Sequence, residues 1–333
     1  PVQSFGPPHL LGKPCKESIV WKDQHQVGSD AFVSDSKRNR QYGSHAVQKS
    51  DLLQRKLSTR LNLSLGIPEV GAVAASLFRS SGSVPLIEAF AINAALFGGL
   101  SKKLFTMLTP TGFAHSLALG TMLWSALGWK GWLFCVFYLF LGQIVTKVRF
   151  EEKEKAGLAE GRGGRRGPEN VWGSAATGLV CAACAAQGTT FLGLESDLFL
   201  LGYVASLSTK LADTFASEIG KAYGKTCFLI TTFERTEPGT EGAVSLEGTA
   251  ASVVGGLCLS SVGYFLGLIN SIPAIMIATF AAFVATNIES ILGATIQEKD
   301  GLEWVTNEVI NFLNTLIGAA IAMTMGTALL GTM

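Results

Sequence analysis

An all-α bundle of about seven to eight transmembrane helices behind a disordered polar N-terminal extension is the fold class this chain predicts, from three observations. Of its 333 residues, 48% are hydrophobic and only 15% charged, whereas soluble domains carry about a quarter charged residues. From Val84 onward the chain divides into apolar stretches, each near the ~20 residues that carry a helix across a bilayer. Gly128, Pro168, Pro238 and Pro273 stand at the ends of those stretches, where helix breakers belong.

Residues 1–83 hold eleven Lys or Arg against six Asp or Glu, and no apolar run long enough to span. Their DLLQRKLSTRLNLSL portion is basic and weakly amphipathic, as in an organelle transit peptide. The same composition also suits a disordered cytosolic tail. Residues 84–333 are expected to form one polytopic domain, with spans at 84–107, 111–128, 131–148, 172–192, 197–218, 244–268, 272–295 and 304–331. Lys102 and Lys103 interrupt the first span. Either they snorkel, or that helix ends there and the next begins at Leu104.

Eight spans put the loops at 149–171, 219–243 and 296–303 on one face. That face gathers Lys147, Arg149, Lys153, Lys155, Arg162, Arg165, Arg166, Lys221, Lys225, Arg235 and Lys299, while the opposite loops hold one base, Lys130. The charged face is therefore cytosolic or stromal. Cysteine says nothing of oxidation. Cys181 and Cys184 lie in LVCAACAA with no second pair or nearby His, which suits small-residue helix packing better than zinc. His9, His25, His45 and His115 lie away from the polar segment described next, which argues against a histidine base.

Residues 206–249 break the apolar pattern: SLSTKLADTFASEIGKAYGKT, a spacer, then TTFERTEPGTEGAVSLEGT. Acids suit a metal ion, amines suit phosphates, and glycines let backbone N–H groups approach a ligand. Lys210 and Asp213, three apart, share a helix face and form either a structural pair or part of a wet site. Gly220-Lys221-Ala222-Tyr223-Gly224-Lys225-Thr226 has three residues between its glycines where a Walker A loop needs four. It is either an anion nest with Lys225 as counter-charge or a flexible turn at a helix end. Glu247 re-enters the bilayer just below the charged face and needs a cation or a proton. Asn287, Glu289, Ser290 and Gly293 notch the seventh span, and Thr306 and Asn307 suit capping and ligand contact equally. Asp213, Glu218, Glu247 and Glu289 together could hold one or two Mg²⁺.

SLSTKLADTFASEIGKAYGKT, TTF-x5-GTEGAVSLEGT and N-x-ES-x2-GA resemble the integral-membrane family that includes the plastid phytyl-phosphate kinase of the tocopherol pathway. GRRGPENVWGSAATG is similar to its plant branch, and the resemblance covers roughly 84–331. It implies phosphoryl transfer from CTP or another nucleoside triphosphate to phytyl monophosphate, giving phytyl diphosphate for tocopherol and phylloquinone synthesis. It also implies a multi-pass protein of a chloroplast membrane, the envelope first, with the endoplasmic reticulum as the alternative.

The family's motif is carried here by Lys210, Asp213, Glu218, Gly220, Lys221, Gly224, Lys225, Glu241, Gly242, Glu247, Asn287 and Glu289; on our own reading of their chemistry, Lys210, Asp213, Glu218 and Glu247 form the catalytic set. Gly220, Lys221, Gly224, Lys225, Thr226, Glu241, Gly242 and Asn287 hold nucleotide phosphates, and Arg165 and Arg166 the acceptor phosphate. Mg²⁺ falls to Asp213, Glu218, Glu247 and Glu289. The partners are an isoprenoid phosphate lipid and a nucleotide, with no nucleic acid and no specific protein partner. The rivals are another isoprenoid (phosphate) kinase, a cytidylyltransferase, and an ion-coupled transporter running through Lys210, Asp213 and Glu289. Transporters often carry internal repeats, and none is visible between the two halves of this sequence.

Overall fold

The computed structural model describes residues 83–330 other than 189, 192 and 298. The basic extension and its transit-peptide reading lie outside the described residues, Ser83 apart. The helices are α1 (Leu86–Gly99), α2 (Ser101–Leu104), α3 (Pro110–Thr146), α4 (Phe150–Lys155), α5 (Pro168–Ala185), α6 (Ser196–Tyr223), α7 (Leu246–Phe265), α8 (Ile272–Ile296) and α9 (Asn307–Leu329). Two small antiparallel sheets join them: β1 (Thr190–Phe191) with β2 (Leu194–Glu195), and β3 (Cys227–Leu229) between β4 (Arg235–Thr236) and β5 (Ala243–Ser245). The molecule is thus mostly helical, and α3, α7, α8 and α9 are long and apolar enough to cross a membrane.

The first expected span, 84–107, is corrected. Its helix stops at Gly99, after 14 residues. At 1.5 Å per residue that is about 21 Å, short of the ~30 Å hydrocarbon core. Gly98 and Gly99 weaken the helix, and the exposed Lys102 and Lys103 sit on the separate turn α2. The following helix begins at Pro110, not at Leu104: Thr109 caps it, its hydroxyl accepting the Gly112 N–H at 3.0 Å.

Helix α3 is two antiparallel arms. Gly128 adopts φ 65° and ψ −161°, a conformation open to glycine alone. In one continuous helix residues 120 and 132 would stand about 18 Å apart. Here a Cβ on Gly120 would lie 3.0 Å from Trp132 Nε1, and the Trp124 and Trp132 rings are 5.2 Å apart. The chain therefore folds back at Gly128, where the sequence places the boundary between 111–128 and 131–148.

Helix α6 is the axis. Every residue from Leu198 to Thr214 except Leu200 is buried, with α5, α7, α8 and α9 packed around it. Small residues admit these neighbours closely, as lipid-solvated bundles require. Gly178 of α5 faces Ser206 and Tyr203, Gly263 of α7 faces Val204, and Gly318 and Gly326 of α9 face Thr209 and Leu201. Cys181 Sγ packs against α6 at Gly202, the helix-packing role expected of it. Gly318→Ala would put a methyl 2.0 Å from Thr209 Oγ1. It should destabilise the bundle by about 1–3 kcal/mol, read as a lower Tm in detergent. Gly98→Ala, with nothing within 4 Å of the added carbon, should leave Tm unchanged or slightly raised.

Candidate active site

The C-terminal half of α6 departs from its apolar half in both composition and surroundings. A cavity of about 240 Å³ opens there, walled by α6, the β3–β5 sheet, the first turns of α7 and α9, the last turns of α8, and the 160–170 loop. Lys210 Nζ donates to Asp213 Oδ2 at 2.5 Å and to Asn311 Oδ1 of α9 at 2.6 Å. Asp213, Glu289 of α8 and Glu241 line the same cavity, the first two close enough to interact. Carboxylates so placed repel one another unless a cation or a proton offsets their charge. Lys210, bonded to Asp213, offsets part of it.

Arg166 supplies the opposite sign. Its backbone is fixed by a short bridge: its N–H donates to Met107 O at 2.9 Å and its carbonyl accepts from the Thr109 N–H at 3.0 Å. Gly112 makes this possible, since a Cβ there would lie 2.3 Å from Arg166 O. The guanidinium is 7% exposed, donates from Nη1 to Tyr138 Oη at 3.1 Å, and leaves Nε without a partner. Among the described residues no carboxylate lies within ion-pair distance of it. Glu160 and Glu218 of the same cavity wall act on its charge only at longer range, which leaves direct pairing to a bound anion.

The sheet closes the far wall. Pairing of Cys227 with Ser245 returns the chain from the end of α6 to the start of α7, where Ser245 Oγ accepts the Gly248 N–H at 3.1 Å. Gly220, Gly224 and Gly248 serve this crossing. A Cβ on Gly248 would lie 2.6 Å from Ala216 O, and one on Gly224 2.4 Å from Gly220 O. Gly239 and Gly242 turn with φ 86° and 78°, the latter against Ser290 O and Ala294.

Of the residues singled out in the sequence, the cavity is lined by Lys210, Asp213, Glu218, Gly220, Lys221, Glu241, Gly242, Asn287, Glu289 and Arg166. Glu247, Gly224, Lys225, Thr226 and Arg165 do not line it. Lys225 and Arg165 are exposed, and Glu247 is half-buried in the first turn of α7. The anion nest expected at Gly220–Lys225 is therefore corrected: its glycines let two helices cross, and only Gly220 and Lys221 face the cavity. The four-carboxylate metal set is also reduced. Among the described residues no three His, Cys, Asp or Glu side chains converge. Glu218 is paired with Lys153, which also donates to Thr146 O at 3.0 Å. Asp213 and Glu289 remain as a facing pair.

Sequence reasoning missed Lys153, Tyr138, Asn170 and Ser174. Lys153 lies in FEEKEK, whose alternating charges read as a solvated helix, yet it is 2% exposed. The meeting of the charged loops was legible. Arg149 Nη1 donates to Ala222 O at 2.7 Å, and a Cβ on Gly239 would lie 2.6 Å from Leu158 Cδ2. Asn170 Nδ2 donates to Glu308 Oε1 at 3.4 Å, joining the first loop to α9.

Residues 93–319 match the family described as integral membrane protein DUF92. The chain is 50% identical over 248 residues to an uncharacterized membrane protein of Synechocystis sp., sll0875, covering 74% of this chain and 93% of that one. It is 44% identical over 241 residues to protein VTE6, chloroplastic, of Arabidopsis thaliana, covering 72% and 71% respectively. An uncharacterized membrane protein of Methanocaldococcus jannaschii, MJ0933, is 29% identical over 216 residues, 65% of this chain and 84% of that one. No solved structure matches. The chain thus belongs to the DUF92 family of integral membrane proteins, which fits the likeness of its motifs to the plastid phytyl-phosphate kinase family.

Proposed function

We propose that this cavity transfers a phosphoryl group from a nucleoside triphosphate, CTP by the motif resemblance, to the phosphate of phytyl monophosphate in a chloroplast membrane. The observation that carries the reading is a buried Arg166, its Nε unpartnered and no carboxylate in ion-pair distance among the described residues, in the same cavity as Lys210, Lys221, Asp213 and Glu289. Phosphate attacking phosphate brings several negative charges together, so positioning and charge neutralisation carry most of the catalysis. The similarity to the chloroplastic VTE6 supports both the pathway and the organelle. The two arms of α3, with α5 to α9, would make seven crossings, and α1 would enter the membrane part way.

Asp213 and Glu289 fit a Mg²⁺ ion, which favours one or two carboxylates completed by substrate phosphates. A divalent ion held there would supply positive charge to offset that of the donor phosphates. Lys210, held between Asp213 and Asn311, would donate to the transferred group, and Lys221 would bind the outer phosphates. Arg166 would orient the acceptor phosphate through its free Nε–H. An ionised acceptor oxygen forms the new O–P bond as the bond to the nucleoside diphosphate breaks. No proton moves, which accords with the absence of a histidine from the cavity lining among the described residues.

Purified protein in detergent, given phytyl monophosphate, Mg²⁺ and CTP, should yield phytyl diphosphate and CDP. Release of inorganic diphosphate would indicate a cytidylyltransferase, and turnover of free phytol a prenol kinase. A folded sample making no diphosphate lipid would overturn the proposal. Arg166→Gln removes a charge-assisted hydrogen bond worth about 1.5–3 kcal/mol. It should raise the KM for phytyl monophosphate about 10- to 150-fold, with a far smaller change for CTP.

A further inference from the structure

We propose that a second, apolar cavity of about 70 Å³ beside the first receives the phosphate-proximal end of the substrate's isoprenoid chain, so that one lipid lies across Arg166 with its phosphate on one side and the start of its tail on the other, the rest running out between the helices. The proposal rests on the kinase reading for the head group, and on the cavity walls for the tail. Those walls come from α1 (Phe97), both arms of α3 (Leu119, Val136 and Leu139) and α5 (Val171 and Ala175). Arg166 is the one charged residue lining this cavity.

Three residues, Arg166, Asn170 and Ser174, line both cavities. The polar and apolar spaces therefore share a wall at the guanidinium whose Nε lacks a partner. Tyr138 lines the apolar side, and its hydroxyl accepts from Arg166 Nη1, which keeps the cation turned to the junction. A ligand satisfying both sides must be an anion joined directly to a hydrocarbon. A free nucleotide would leave the apolar side empty, and a neutral lipid would leave Arg166 unpaired. The fold accounts for the cavity's place, because the turn at Gly128 brings Leu119 and Leu139 to the same wall. Its walls belong to elements other than α6 to α9, so the start of the tail and the phosphoryl chemistry are handled by different parts of the bundle.

Two measurements test this. A phytyl monophosphate analogue bearing a diazirine at the phosphate-proximal end of its chain, photolysed on the intact protein, should label peptides within 116–139 and 171–175, and unlabelled phytyl monophosphate should compete. Labelling confined to α8 or α9 would overturn the proposal. Second, Val136→Trp should raise the KM for phytyl monophosphate at least about tenfold while leaving the KM for CTP unchanged, because it fills the space the first carbons need. An unchanged KM for phytyl monophosphate in a folded, active protein would equally overturn it. If Val136→Trp does not fold, the labelling of the unmodified protein decides. Competed labelling at these walls without any kinase activity would leave the tail cavity standing while the phosphoryl-transfer reading falls.

Discussion

Asp213→Asn is expected to lower turnover by on the order of 10³-fold while leaving membrane insertion and Tm almost unchanged. Charge-neutralising groups on a transferring phosphoryl are worth about 10³–10⁵ in rate, and this substitution removes one such charge with little change of shape. The asparagine oxygen can still accept from Lys210, which also keeps its 2.6 Å bond to Asn311. What disappears is one carboxylate of the two, with Glu289, that face the cavity, and with it the means proposed here to hold a divalent ion against phosphates. Product formation measured beside a thermal melt separates the two effects. Activity unaltered in Asp213→Asn would remove this residue from the site.

Lys153→Met should produce the largest stability change. It strands the Glu218 carboxylate, 3% exposed, without its cation. Breaking a buried pair by removing one partner costs about 3–5 kcal/mol, whereas replacing both by apolar groups is often neutral. The double variant Lys153→Met/Glu218→Leu should therefore recover most of the lost Tm. It should also keep turnover within about tenfold, because Glu218 is committed to holding α4 against α6 and its pair contributes mainly to stability. A double variant as unstable as the single would mean that Glu218 has another essential partner. A stable but inactive double variant would return Glu218 to the catalytic set.

The helical membrane architecture was legible because hydropathy and breakers act locally. Gly128 stands out between two apolar runs, and its positive φ is the physical reason for the turn. The first span was misread because an apolar run counts residues but does not register that Gly98, Gly99 and two adjacent lysines end a helix early. Asp213, Glu289 and Lys210 were legible as charges in places where lipid would exclude them, and Arg166 as one base of the charged loops; all four face one cavity. Glycine was the weak signal. Gly220, Gly224 and Gly248 read as a phosphate loop because close approach to a ligand and close approach to another helix demand the same absence of Cβ. Lys153 was legible only as one base of the charged face: its burial against Glu218, 65 residues on, is a product of the tertiary fold.

The central claim is that Asp213 and Glu289 hold a divalent ion against phosphates bound within one cavity. Anomalous diffraction from crystals grown with Mn²⁺ and a non-hydrolysable CTP analogue tests it most directly. The account predicts a metal peak about 2.0–2.2 Å from carboxylate oxygens of both residues, with the triphosphate beside Lys210 and Lys221. Nucleotide density accompanied by metal only at Glu218 or Glu247, or by no metal at all, would contradict it.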